Sequence, residues 1–84
     1  MATYFFDLQD GDRVVVDNEG SDLSCFENAR DEAAGFILQI AKDALPFSRD
    51  RRFTVTVRDR NRVPLCCATV MFQEGAPDSW SAGN

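Results

Sequence analysis

Residues 25–45 read Cys25-Phe26-Glu27-Asn28-Ala29-Arg30-Asp31-Glu32-Ala33-Ala34-Gly35-Phe36-Ile37-Leu38-Gln39-Ile40-Ala41-Lys42-Asp43-Ala44-Leu45, and this stretch decides the fold. Phe26, Ala29, Ala33, Ile37, Ile40 and Ala44 recur at helical spacing, flanked by Phe36 and Ala41, which predicts one amphipathic helix. Ser24 stands three residues before Glu27, the spacing of a capping box at the helix start. Pro46 lacks the N–H a helix needs and marks its end, while Gly35 falls on the outer side.

Working outward, Arg52 to Arg58 alternates cleanly, with Phe53, Val55 and Val57 on one side and Arg52, Thr54, Thr56 and Arg58 on the other. That is a strand. Residues 3–9 alternate as well, placing Tyr4, Phe6 and Leu8 inward and Phe5, Asp7 and Gln9 outward. Asp10-Gly11-Asp12 turns that strand back, because Gly accepts positive φ without steric cost. The return strand, Arg13 to Asp17, is expected to turn Val14 and Val16 inward and Val15 outward. Asp59-Arg60-Asn61-Arg62 makes a second turn, with Asn61 as the left-handed residue, and Val63 to Gln73 forms the last strand. Of that strand, Cys66, Ala68, Val70 and Phe72 are expected on the open face.

Two hairpins around one helix imply an α+β class: a two-layer ββαββ unit with a four-stranded, mainly antiparallel sheet and one long helix on one face. The expected strand order is 2-1-3-4. Residues 1–73 form the single domain, and 74–84 have the composition of a disordered tail.

Composition narrows the chemistry. The 84 residues include no His, which removes the commonest general base and metal ligand. No phosphate loop or dinucleotide fingerprint occurs, so no catalytic, cofactor or metal residue is assigned and no enzyme is expected. The acidic set Asp7, Asp10, Asp12, Asp17, Glu19 and Asp22 lacks the spacing of a calcium loop and reads as turn chemistry. The net charge of −5 argues against general affinity for nucleic acid or acidic lipid. Three cysteines, two of them adjacent at Cys66-Cys67, suggest free, buried or half-buried thiols in a reducing compartment. With no signal-peptide pattern and no long apolar run, a cytoplasmic location away from membranes is expected.

Three readings concern surfaces. Phe5, Val15 and the outward set of the last strand leave apolar area on the open sheet face, which points to a homodimer or another protein partner. Arg49, Arg51, Arg52, Arg58, Arg60 and Arg62 make a basic stretch that motivates the alternative, a nucleic-acid-linked regulator. Arg30 falls inside the apolar arc of the helix, where it is expected either to snorkel or to pin Asp17 or Glu19, a structural role alongside Ser24 and Glu27.

Tyr4-Phe5-Phe6-Asp7-Leu8, Asp10-Gly11, Asp17-Asn18-Glu19-Gly20, Leu23, Glu27, Ala29-Arg30, Glu32-Ala33, Val55–Asp59 and Val63–Phe72 stand in an order that resembles a known family. Its members are short alphaproteobacterial, often rhizobial, proteins classed only as a domain of unknown function. The resemblance spans about residues 3–72. The family often has Asp at the helix start, where this chain has Ser24-Cys25, and Gly in the last turn, where this chain has Asn61-Arg62. It implies the ββαββ pattern and a bacterial source, and supplies no activity. The alternative regulator is similar in its order of elements to partial ribonuclease-H-like antitoxins.

Overall fold

The computed structural model describes residues 1–44 and 51–73. Pro46, Arg49 and the tail at 74–84 lie outside them. The elements are β1 (Ala2–Asp10), β2 (Arg13–Val15), β3 (Ser21–Leu23), α1 (Phe26–Ala44), β4 (Arg51–Arg58) and β5 (Pro64–Phe72). All pairings are antiparallel, in the order β2-β1-β4-β5, with β3 also on β1. The expected α+β class and strand order are therefore observed, with one short strand more.

That additional strand is the far end of the first hairpin. Leu8 faces Val15 and Tyr4 faces Ser21. The return strand thus places residues 16–20 opposite only residues 5–7 of β1, an insertion that interrupts it as a bulge does. The hairpin turn also fixes parity. Asp10 pairs with Arg13 across a two-residue turn, with Gly11 at φ 61. Val15 consequently sits opposite Leu8 on the helix side, and Val14 sits opposite Gln9 on the open side. The expected inward Val14 and outward Val15 are exchanged, because a one-residue slip flips every side chain. All three residues of β2 are exposed.

The core joins α1 to β4 and β5. Ala29, Ala33, Ile37 and Ala41 are buried, four residues apart along one narrow stripe. Three of the four are alanines, so the helix backbone can approach the sheet closely. Phe53, Val55 and Val57 are wholly buried beneath it, as their alternation requires. β5 presents Cys66, Val70, Ala68 and Phe72 to the same side, opposite Val57, Phe53, Val55 and Arg51. This corrects the expectation that they face outward; the register with β4 places them under the helix. α1 reaches β4 and β5 but touches the β1 side chiefly at β3. Phe26, expected in the buried stripe, and Phe36, expected on its flank, stay exposed at its margins.

The helix start differs by one residue from a capping box. Cys25 O accepts Ala29 N–H at 3.3 Å, and Ser24 Oγ accepts from the Asn28 side-chain amide rather than from Glu27 N–H. At the second turn the left-handed residue is Arg62, with φ 67, not Asn61. Asp59 sets this: its carboxylate accepts Asn61 N–H at 2.8 Å and Val63 N–H at 3.0 Å, while its carbonyl accepts Arg62 N–H at 2.9 Å.

Candidate functional site

Asp17 organises the inserted residues. Its carboxylate accepts N–H groups of Phe6 at 3.0 Å, Glu19 at 3.0 Å and Gly20 at 3.1 Å. Its own N–H donates to Asp7 Oδ1 at 3.0 Å. The insertion would otherwise leave the Phe6 amide without a strand partner, and the carboxylate replaces that partner. Burial raises the Asp17 pKa, but the amides of Gly20, Phe6 and Glu19 and the Arg62 charge outweigh it and hold the carboxyl below its ordinary value. Gly20, at φ 78, closes the loop; a Cβ there would lie 2.8 Å from Thr3 Cγ2 and 2.9 Å from the Phe5 ring.

Asp7 lies on the open face yet is only 6% exposed. Arg58 Nε stands 2.6 Å from Asp7 Oδ2, a charge contact whose N–H is not aligned as a hydrogen bond. Arg62 completes the cluster, donating to the Asp17 carbonyl at 3.2 Å and stacking 4.3 Å over the Phe5 ring. On the helix side, Arg51 Nε donates to Asp10 Oδ1 at 3.2 Å while its guanidinium lies 4.9 Å over Phe53. Arg51, Arg58 and Arg62 are thus engaged within the fold. Arg52 and Arg60 are exposed. Arg30 is exposed too; among the described residues, Arg62 rather than Arg30 contacts Asp17.

Of the expected interaction surface, Phe5, Arg52 and Arg58 share the open face, with Arg62 over Phe5. Phe5 is half-buried beneath Arg62, and Val15 belongs to the opposite side of the sheet. The open face itself is mostly polar, with Gln9, Arg52, Thr54, Thr56 and Thr69 across three strands. Thr54 and Thr69 share a hydroxyl contact at 3.0 Å. Cys25 and Cys67 are exposed and Cys66 half-buried, all as free thiols, so only Cys66 matches the expected burial.

Apolar surface gathers in two other places. One is β5, the nine-residue strand Pro64-Leu65-Cys66-Cys67-Ala68-Thr69-Val70-Met71-Phe72, which carries no charge. Among the described residues it pairs only with β4, and Leu65 and Met71 are exposed. The other is an open groove of about 560 Å³ between α1 and the β1–β2 edge, floored by Phe6, Leu8, Val15, Val16 and Phe36. Sequence reasoning missed the groove because it assumed the helix covers the whole sheet. It missed the Asp17 cluster as well, although Asp17 three residues before Gly20 is a loop-closing signal. No described helix is long and apolar enough to cross a membrane.

Among known families, one described as a domain of unknown function, DUF6894, matches residues 3–71. No curated protein and no solved structure gives a match.

Proposed function

Because this chain belongs to the DUF6894 family, whose description assigns no activity, we propose from its surfaces that it is a small, non-catalytic protein-interaction module, joined as a homodimer through the outer edge of β5. The carrying observation is the contrast between the two edges of the sheet. One edge is the short, interrupted pair β2 and β3, with Asp12, Arg13, Glu19 and Asp22 in or beside it. Such devices keep edge strands from pairing with other chains. β5 has none of them beyond Pro64 at its first position. An antiparallel copy of β5 would satisfy its outer main-chain groups and bring Leu65, Cys67 and Met71 of both copies together on one face. The non-catalytic part of the reading draws on the absence of His and on carboxylates committed to structure: Asp7 to Arg58, Asp10 to Arg51, Asp17 to three amides.

Light scattering from dilute to near-millimolar protein tests the dimer. Thr69→Lys/Met71→Lys, two changes at exposed positions, is expected to yield a folded monomer. A wild-type chain that stays monomeric throughout, or a dimer indifferent to both lysines, sinks the proposal.

A further inference from the structure

The groove between α1 and the β1–β2 edge has a charge as well as an apolar floor. Val15, Val16 and Phe36 are 52%, 49% and 41% exposed, so they meet water although they line a concavity. Glu32 stands on its helix wall, one turn before Phe36, and Glu19 on its loop wall. Among the described residues no base lines it. The surrounding sequence has the same sign, with nine acidic and two basic residues in positions 1–32.

From this we infer that the groove docks a basic amphipathic segment of another protein. The segment's apolar side rests on Val15, Val16 and Phe36, and its Lys or Arg side chains reach Glu19 and Glu32. Charge complementarity selects that occupant. A nucleic acid or an acidic peptide meets like charge, and complementary potentials decide partner choice more than contact area does. A second copy of this chain fits poorly, since it carries the same net charge of −5 and would meet the acidic groove with like charge. The inference rests on the groove alone and stands whether or not β5 pairs.

The test uses the full chain and a Leu/Lys peptide with helical spacing, beside a scrambled peptide of equal composition and a Leu/Glu version. Titration followed by amide chemical shifts is expected to move Val15, Val16, Glu19, Glu32 and Phe36 with the Leu/Lys peptide only. Glu19→Lys/Glu32→Lys alters two exposed positions and is expected to weaken that peptide about tenfold and to admit the Leu/Glu version. Phe36→Ala is expected to weaken the Leu/Lys peptide. Equal response to the scrambled peptide, shifts confined elsewhere, or affinity unchanged by the charge reversal would overturn the inference. So would groove shifts that move with protein concentration, marking a second copy, or with Trp80→Ala, marking the chain's own end as the occupant.

Discussion

On one side of β1 lies β4, buried beneath α1; on the other lies the interrupted return strand β2–β3, which the helix meets chiefly at β3. The first half is held by apolar area: Phe53, Val55 and Val57 against Ala29, Ala33, Ile37 and Ala41. The second is held by directed bonds to carboxylates, with Asp17 drawing in three amides and Asp7 accepting the Asp17 N–H. Burial of area is indifferent to pH and tolerant of direction, whereas a carboxylate hub depends on both. The comparison teaches that one small sheet can be stabilised by two kinds of physics on either side of a single strand.

The sharpest way to break the apolar half is Phe53→Ala. Its side chain is wholly buried, so the loss is expected at about 3–5 kcal/mol, read as a global drop in urea stability. Gly20→Ala strikes the polar half. It combines a left-handed backbone with contacts under 3 Å, and a loss of about 2 kcal/mol or more is expected. Asp17→Ala should cost about 2 kcal/mol, with amide exchange quickening at Phe6, Glu19 and Gly20 before β4 or β5 responds. Uniform acceleration across the sheet would erase the distinction between the halves.

The same residue gives the pH dependence its sign. The folded pKa of Asp17 lies below its ordinary value, so the unfolded chain binds the proton more readily. Its contribution is present above the ordinary carboxylate range, about pH 4, and is lost as pH falls through the lowered folded value. Asp17→Asn should flatten that part of the urea-stability profile. The smallest expected effect is a gain: Gly35 is exposed with no atom within 4 Å of an added Cβ, so Gly35→Ala should stabilise α1 by about 0.5–1 kcal/mol.

What could be read from the sequence divides along the same line. The helix and β4 were legible because their periods, near four and two, are unbroken from Ala29 to Ala41 and from Phe53 to Val57. Val14-Val15-Val16 and Leu65-Cys66-Cys67-Ala68 do not alternate, so their facing is set by register with a neighbour and not by their own residues. At the second turn residue type alone favours Asn61 in the left-handed position, since Asn tolerates it more readily than Arg. The Asp59 bonds and the Phe5 ring under the guanidinium instead favour Arg62 there. The candidate surfaces were least legible, because they depend on where α1 stops covering the sheet.

Arg62 reaches across 45 positions to the Asp17 carbonyl and ties the tip of the second hairpin to the first. Such a tie needs both hairpins in place, so it is expected to form late in folding and to act as a kinetic latch. Arg62→Ala should accordingly hasten escape from the native state in stopped-flow measurements and leave the refolding limb where it was.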